Sequence, residues 1–268
     1  MLVRYMVGRD VEFDYRTSQT MQSEVLLDVK GVCSGEALKN IDFSLHKGEI
    51  LGIAGLEGSG RTELLETLFG WRAATAGSIQ LEGKPLRAHN PILAKKRGLA
   101  YITKDRKMLG LFLKQDVKTN IAAASEQRYK RAGLVSYRKI AENANHYVDA
   151  MRIKCASLSQ LVMNLSGGNQ QKVLLSMWLS ADPKILLIDE PTRGVDVGAK
   201  AEIHALLRGI AAEGKGVLMV SSELPEIMAA CDRVIVMFEG RITGILENNK
   251  QLTEERLVSL ASGMTEAC

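Results

Sequence analysis

The sequence predicts an α/β protein in which a parallel sheet is interrupted by a helical insertion. Short apolar runs at 50–54, 184–188 and 216–220 have the length and composition of fully buried strands. From about Lys104 to Ala181 the chain instead carries apolar residues at helical spacing. These residues include Ile140, Ala144, Val148 and Met151. Buried strands on both sides of a helical segment indicate one core that holds an insertion.

The part of the chain before the insertion is predicted to contain mainly strands. The predicted strands are 24–30, 41–46, 50–54, 77–82 and 99–103. Turns are expected at Cys33-Ser34-Gly35 and at Gly83-Lys84-Pro85, where glycine and proline interrupt the apolar pattern. The strand at 50–54 leads through a glycine-rich turn into a helix over 63–69.

After the insertion, strands and helices alternate again. The predicted elements are a strand at 184–188, a helix over 199–212, a strand at 216–220, a short helix, strands at 232–237 and 241–245, and a helix over 253–261. The two ends, 1–22 and 264–268, are predicted to attach weakly to the core.

Composition is that of an ordinary globular protein. The chain has 268 residues, 46% of them hydrophobic and 25% charged, and a net charge of +4. The short basic clusters are therefore interpreted as solvated faces and not as nucleic-acid contacts. The four cysteines and four histidines are scattered without metal-ligand spacing, which favours reduced thiols in the cytosol. No apolar run approaches the ~18 residues that cross a bilayer, so we expect any membrane association to be peripheral.

A glycine-rich loop follows the strand at 50–54. Its sequence is Gly55-Leu56-Glu57-Gly58-Ser59-Gly60-Arg61-Thr62, and a helical stretch comes directly after it. Strand, glycine-rich turn and helix form the context that a phosphate-binding loop requires, because the backbone can wrap an anion at a helix N-terminus. Taken alone, the loop is equally well explained as a structural glycine turn.

Two further motifs lie on either side of a short predicted helix. Ser166-Gly167-Gly168 opens that helix and leaves backbone N–H groups free to face an anion. The buried strand after it ends in Asp189-Glu190, adjacent carboxylates suited to holding Mg²⁺ and activating water. The alternative for this pair is an ordinary charged strand end.

Together these motifs resemble those of ABC-type ATPases. The resemblance is to the C-terminal nucleotide-binding cassette of the double-cassette ATPases that energise bacterial import of ribose, galactose, xylose and arabinose. The residues that carry it are Met6–Arg9, Lys47–Gly52, the glycine-rich loop through Glu63, Asp105-Arg106-Lys107, Leu165–Lys172 and Asp189–Lys200.

The resemblance implies a P-loop NTPase ABC cassette, with a RecA-like parallel-sheet core, an antiparallel β subdomain and an inserted α-helical subdomain. The implied boundaries are 1–22 for a remnant of the linker between cassettes, 23–103 and 182–263 for the ATP-binding core, 104–181 for the helical subdomain, and 264–268 for a tail.

Roles of individual residues follow from the same resemblance, with ATP and Mg²⁺ as the cofactors. Nucleotide binding is implied for Gly55, Glu57, Gly58, Ser59, Gly60, Arg61, Thr62 and Glu63. Thr62 and Asp189 would hold Mg²⁺, and Glu190 would polarise the attacking water. The signature residues Ser166, Gly167, Gly168, Asn169 and Gln170 would act on nucleotide held by a partner cassette. Asp196 would lie in the loop that touches the partner.

Several positions depart from the family pattern. Arg61 replaces the consensus lysine, and its planar guanidinium cannot enter the loop as an ammonium would. A misplaced charge-assisted phosphate bond is worth roughly 1.5–3 kcal/mol, or about 10–100-fold. Ser222 occupies the catalytic switch-histidine position, and Lys104 the switch position where active cassettes have glutamine. Phe43 is the only aromatic placed to stack adenine, and a strand residue of this kind is more often core.

These departures, beside an intact signature, predict asymmetry. The chain's own site would be weak, and its signature would complete the site of the partner. Arg61 and Ser222 also occur in working members of this cassette class, so they mark the class. The partner would be a second cassette, either a missing N-terminal half or a second copy of the chain.

The predicted function is therefore an ATP-binding and ATP-hydrolysing cassette that energises monosaccharide import. It would sit peripherally on the cytoplasmic face of the bacterial inner membrane, against the membrane subunits of a sugar permease. A periplasmic sugar-binding protein would be an indirect partner, and nucleic acid would not be one. The alternative is a nucleotide-binding regulatory cassette with negligible hydrolysis. Repair- or ribosome-type ATPases lack support because no long coiled-coil insertion is present, and small-molecule P-loop kinases lack the Ser-Gly-Gly helix.

The segment from Lys104 to about Asn120 contains many large apolar side chains, Met108, Leu109, Leu111, Phe112 and Leu113. They either cover the underside of the insertion or form part of a groove for a cytoplasmic helix of the permease. The second interpretation treats Leu111 as exposed.

Overall fold

Two sheets and a set of helices make up the fold, seen in a computed structural model that describes residues 21–86, 89–131, 134–249 and 251–264. In chain order the strands are β1 Val25–Ser34, β2 Leu38–His46, β3 Ile50–Gly55, β4 Ala76–Leu81, β5 Lys84–Pro85, β6 Leu99–Ile102, β7 Lys130–Arg131, β8 Leu134–Val135, β9 Ile185–Asp189, β10 Gly216–Val220, β11 Arg233–Phe238 and β12 Arg241–Glu247. The α-helices are α1 Arg61–Phe69, α2 Pro91–Arg97, α3 Val117–Ala123, α4 Tyr137–Ala150, α5 Gly167–Leu179, α6 Val197–Ala212, α7 Leu224–Ala230 and α8 Glu254–Ala261.

The larger sheet has six strands in the order β12-β11-β3-β10-β9-β6. All neighbouring pairs are parallel except β11 and β12. Because parallel strands end at the same edge, the carboxyl ends of β3, β9 and β10 lie side by side. A second, antiparallel sheet has the order β2-β1-β4-β5, and β7 pairs with β8 as a small hairpin in the insertion.

Side chains alternate along β3 between two hydrophobic cores. Ile50 and Ala54 belong to the first core, which also contains buried apolar residues of the insertion, α6, α7 and α8. Leu51 and Ile53 belong to the second core, which lies between the large sheet, the antiparallel sheet and α1. This alternation is the period-2 geometry of a strand buried on both faces.

Trp178, near the end of α5, packs against both cores. Its ring meets Phe69 at the end of α1 edge to face, with the ring centroids 5.8 Å apart and the planes at 88°. The signature helix and the helix after the glycine-rich loop are therefore in direct aromatic contact.

The predicted fold class is confirmed: a parallel α/β core, an antiparallel β sheet and an inserted helical segment are all present. The predicted turn at 33–35 is misplaced, because Cys33 and Ser34 still belong to β1 and Ser34 pairs with Leu38. The insertion is less helical than predicted. It contains the β7–β8 hairpin and a π-helical turn at Arg106–Gly110, and the long stretch between α4 and α5 holds only one short 3₁₀ turn.

One helix, α2, was not predicted, although its signals are in the sequence. Asn90 caps it by accepting a hydrogen bond from the Leu93 N–H at 2.9 Å, Pro91 occupies the first turn, and Gly98 ends it with φ 102°. The predicted linker remnant at 1–22 lies outside the described residues except for its last two, and so does the predicted tail except for Met264. Among the described residues, no helix has the length and apolar character that a membrane span needs.

Candidate functional site

The glycine-rich loop joins the end of β3 to the start of α1. Gly60 occupies the N-cap position of α1 with φ 100°, a conformation that favours glycine. A Cβ at this position would lie 2.8 Å from the carbonyl oxygen of Ala37, so no larger residue fits. Without a capping side chain, the first N–H groups of α1 face the loop, where an anion can bind them.

The loop forms one wall of a cleft of about 750 Å³ at the carboxyl edge of the large sheet. All of the predicted nucleotide-binding residues line this cleft: Gly55, Glu57, Gly58, Ser59, Gly60, Arg61, Thr62 and Glu63. The opposite wall contains Lys104, Asp189, Glu190, Thr192, Arg193, Gly194, Val195, Lys200, Val220, Ser222 and Glu223. The fold thus brings together four parts of the chain that are far apart in the sequence.

Thr62 and Asp189 both line the cleft and contact each other. The hydroxyl of Thr62 donates to Asp189 Oδ2 at 2.9 Å. The other carboxylate oxygen, Oδ1, is buried and has no hydrogen-bond partner among the described residues. Burial raises the pKa of Asp189, while the Thr62 hydrogen bond and the charges of Lys104 and Arg61 act in the opposite direction. A hydroxyl beside a carboxylate with a free oxygen is a donor set that fits Mg²⁺.

Glu190 follows at the end of β9 in a left-handed backbone conformation, with φ 54°. Such a conformation costs about 1–2 kcal/mol for a residue with a side chain. The Glu190 N–H donates to the carbonyl of Val220 at 2.9 Å, which fixes the turn. Its carboxylate accepts a hydrogen bond from the Ser222 hydroxyl at 3.2 Å. Burial raises the pKa of Glu190, and the Ser222 hydrogen bond partly offsets that rise.

Arg61 lines the cleft, and its side chain reaches the residue that follows β10. Its guanidinium donates to the carbonyl of Ser221 at 2.8 Å. The positive charge therefore remains in the cleft but is held by the segment that carries Ser222. Lys104 is exposed at the rim, close enough for its charge to lower the pKa of Asp189.

Glu226 is a site residue that the sequence analysis missed. Its buried carboxylate accepts hydrogen bonds from Thr192 at 2.8 Å and from Ser221, and it contacts His204 Nε2 at 2.7 Å. Burial alone would raise its pKa, but hydrogen bonds from His204, Ser221 and Thr192 and the charge of His204 together lower it. Glu226 thereby ties together the two segments that flank Glu190 and Ser222. The only sequence signal was an acidic residue in a short helix, which carries little information.

The signature residues lie outside the cleft. Ser166 is exposed and caps α5, and its Oγ accepts a hydrogen bond from Asn169 Nδ2 at 2.9 Å. Asn169 Oδ1 accepts from the Lys154 N–H at 2.8 Å, and Gln170 is buried, with Nε2 donating to the Val162 carbonyl at 3.2 Å.

Gly167 and Gly168 pack against a neighbouring loop of the same chain. A Cβ on Gly167 would lie 2.7 Å from the Gly194 carbonyl oxygen, and one on Gly168 would lie 2.8 Å from Ala199 Cβ. Asp196, the predicted interface residue, caps α6 by accepting from the Ala199 N–H at 3.0 Å. Neither Asp196 nor any signature residue lines the cleft.

The structure shows the burial of Phe43, considered for stacking on adenine, and of Leu111, considered as an exposed contact for the permease. Phe43 is buried in the second core opposite Val29, so it is a core residue and not a surface for stacking a base. Treating Leu111 as exposed is wrong, because it is only 8% exposed and packs in the first core. Met108, Leu109 and Phe112 from the same segment are 80%, 64% and 58% exposed.

Known sequences that are similar to this chain include ABC-type ATP-binding proteins. The sequence profile of the ABC transporter family matches residues 38–193. A ribose/galactose/methyl galactoside import ATP-binding protein of Pseudomonas fluorescens is 46% identical over 263 residues, which is 98% of this chain and 51% of that protein. The ribose import ATP-binding protein RbsA 1 of Rubrobacter xylanophilus is 44% identical over 267 residues, 99% of this chain and 53% of that protein. The chain spans about half the length of the curated relatives it matches.

Solved structures agree on the fold. A nucleotide-free ATP-binding cassette from an ABC transporter superimposes with a TM-score of 0.74 at 22% identity, covering 89% of this chain and 95% of that one. A dimeric ATP-binding cassette in a post-hydrolysis state, bound to ADP and Pi, gives a TM-score of 0.71 at 22% identity, covering 84% and 99%. At this level of identity the likeness concerns the fold alone.

Proposed function

The chain belongs to the ABC transporter family, and on that premise we propose that it is the ATP-binding and ATP-hydrolysing cassette of a bacterial monosaccharide importer. The observation that carries the proposal is that Thr62 of the glycine-rich loop meets Asp189 and Glu190 of the opposite wall in one cleft. A hydroxyl, a buried carboxylate with a free oxygen and a second carboxylate beside it are the groups that phosphate-bond hydrolysis requires.

Binding of the triphosphate rests on the loop and the start of α1. Backbone N–H groups of 58–63 would surround the phosphates, and the helix dipole would add a favourable interaction with their negative charge. Thr62 and Asp189 would hold Mg²⁺, which when bound neutralises phosphate charge and acts as a Lewis acid. The buried free oxygen of Asp189 supports this assignment, because a buried carboxylate oxygen without a partner is costly.

Glu190 would then orient and polarise the attacking water. Its raised pKa makes its carboxylate a better proton acceptor than an exposed glutamate. The Ser222 hydroxyl holds that carboxylate in place from one side. In this role Ser222 acts through Glu190 and not through the γ-phosphate, which its short side chain is poorly suited to reach.

We further propose that the chain's own site is weak. Arg61 donates to the Ser221 carbonyl, so in this arrangement its charge is directed away from the phosphates that a lysine would contact. The signature residues lie outside the cleft, which supports a role away from the chain's own nucleotide. They are proposed to complete the site of a second cassette, either a missing N-terminal half or a second copy.

The membrane side of the proposal rests on exposed apolar residues. Met108, Leu109 and Phe112 lie in or just after the π-helical turn that leads into the insertion. Together they would contact a cytoplasmic helix of the sugar permease, with a periplasmic sugar-binding protein as a more distant partner. The chain would then lie on the cytoplasmic face of the inner membrane.

Steady-state phosphate release from the purified chain tests the proposal. Wild type should show slow turnover, and Glu190→Gln should reduce it by about 10²-fold or more, because the water loses its base. Glu223→Gln is the matched control, since Glu223 lines the same cleft but pairs with Lys200 at its rim. Equal turnover in wild type and Glu190→Gln would favour the regulatory cassette without hydrolysis of its own.

A further inference from the structure

Arg106 is a buried arginine that contacts two segments of the proposed machinery without lining the cleft. It lies at the start of the π-helical turn that follows β6. Its Nη1 donates to the carbonyl of Arg193 at 2.5 Å, and its Nη2 donates to the carbonyl of Gly194 at 3.0 Å. Its Nε lies 3.5 Å from Gln170 Oε1 in α5. One planar guanidinium thus reaches both the cleft wall and the signature helix.

Gly167 adds a second, independent observation. A Cβ at Gly167 would lie 2.9 Å from Arg106 Nη2 and 2.7 Å from the Gly194 carbonyl oxygen. The start of α5 therefore fits against Arg106 and the 193–194 loop with no room for a methyl group. Glycine is needed here for contact within the chain, separately from any role toward a nucleotide.

The partners of Arg106 are unusual for a buried cation. None of the ion pairs found in the described part of the chain involves it. Its hydrogen bonds go to two successive backbone carbonyls and to the neutral side chain of Gln170. Burial lowers its pKa, which reflects the cost of desolvating the charge. The planar fork of arginine matches two neighbouring acceptors in a way that lysine cannot.

We infer that Arg106 is a positioning residue that locks the 193–195 wall of the cleft to the start of α5. Arg193, Gly194 and Val195 line the chain's own site. Ser166, at the start of α5, is exposed outside that site. On the proposed function, on which this inference rests, the first surface senses the chain's own nucleotide and the second acts on the partner's. Arg106 would make the two surfaces move as one body and so couple the two ATP sites of a cassette pair.

The test compares Arg106→Lys and Arg106→Met with a matched pair at Arg208. Arg208 is also partly buried, and it donates to the carbonyl of Ala230 at 2.7 Å and to Asp232, away from the cleft. Amide hydrogen exchange of the full chain over 165–170 and 192–196 measures how strongly the backbone of these two segments is held in place. It requires no ATPase activity. Nucleotide affinity and turnover are then measured on the same preparations.

The expected result is faster exchange, confined to those two segments, in Arg106→Met and to a smaller extent in Arg106→Lys. The Arg208 variants should leave both segments unchanged. Turnover in the Arg106 variants should fall by about tenfold or more, with the affinity for an ATP analogue changed by less than about threefold, since misplacement affects the reaction more than binding.

Two outcomes would overturn the inference. One is unchanged exchange in both segments of Arg106→Met. The other is a rise spread over the whole chain and matched by Arg208→Met, which would make Arg106 a residue of general stability only. If exchange rises selectively but wild type shows no Glu190-dependent turnover, the proposed function fails and the positioning role stands.

Discussion

The hydroxyl of Ser222 donates to the carboxylate of Glu190 across 3.2 Å, although the two residues are 32 positions apart. A hydrogen bond to a carboxylate stabilises its charged form and lowers its pKa. Burial has already raised the pKa of Glu190 above its ordinary value. Since a base must be ionised to act, ATP turnover should decline as the pH falls through this raised pKa.

Removing the Ser222 hydroxyl should move that decline to higher pH. Ser222→Ala deletes the interaction that lowers the pKa of Glu190, so the carboxylate should take up its proton earlier on acidification. The measurement is a pH profile of turnover for both proteins, with Ser262→Ala as a control at a distant surface serine. An unchanged profile would mean that the hydrogen bond does not control ionisation of Glu190.

Arg61→Lys should strengthen nucleotide binding. Lysine cannot reproduce the fork of arginine and is expected to leave the Ser221 carbonyl and enter the glycine-rich loop. Affinity for a fluorescent ATP analogue should rise by about 10–100-fold, the worth of one charge-assisted hydrogen bond. Arg61→Met, which removes the charge, is the control. If the lysine variant binds no better than wild type, the proposal of a weak own site loses its physical basis.

Glu226→Gln should destabilise the chain by about 1.5–3 kcal/mol, because the amide would present a donor group to partners that are themselves donors. Urea unfolding near pH 7 measures this, with Glu223→Gln as an exposed control. The folded-state pKa of Glu226 is lowered, so its contribution is complete above the unfolded-state pKa and is lost as pH falls through the folded-state value. The difference between Glu226→Gln and wild type should therefore shrink in acid.

Ser166→Arg and Gly168→Asp both alter the signature, and they should destabilise the chain for different reasons. Ser166 is exposed and caps α5, so arginine should lower the unfolding free energy only by the worth of the cap, about 0.5–2 kcal/mol, and leave the chain's own nucleotide affinity intact. Gly168 is buried against Ala199, so any side chain there should cost about 1–3 kcal/mol. Thermal melting and analogue binding of both variants check this. A stable Gly168→Asp would contradict the packing described here.

Met108→Asp and Leu111→Asp form a matched pair in the segment from Lys104 to Asn120, which is proposed to contact the permease. The first replaces a side chain that is 80% exposed and should leave melting unchanged while uncoupling ATP turnover from transport. The second places a charge in the first core and should cost about 3 kcal/mol or more. Normal transport by Met108→Asp in the complete importer would exclude this segment as the permease contact.

Local sequence was enough to predict the fold class and the position of the cleft. Short contiguous stretches of sequence carry both main signals. One is the path from β3 through the glycine-rich loop into α1, and the other is the pair of carboxylates at the end of β9. Parallel strands then bring these segments to one edge of the sheet by geometry alone. The helix α2 could also have been predicted from Asn90, Pro91 and Gly98.

The residues that hold the site in shape could not be predicted in this way. Arg61 bonds a carbonyl 160 positions away, and Arg106 bonds carbonyls 87 and 88 positions away. Any residue type can supply a backbone carbonyl, so the identity of the accepting residue gives no sequence signal for such a hydrogen bond. Glu226 was overlooked for a related reason, since its partners Thr192, Ser221 and His204 are common residue types that become neighbours only on folding.

Trp178 packs against both hydrophobic cores and therefore lies where the inserted segment meets the rest of the molecule. Buried apolar side chains of the insertion belong to the first core, so a tilt of the insertion can leave the second core, with β1, β2 and α1, at rest. Such a tilt would pivot where the indole ring meets Phe69. The fluorescence emission of Trp178 would therefore report the tilt. Trp71→Phe would remove the emission of the second tryptophan and keep an aromatic ring against Tyr101.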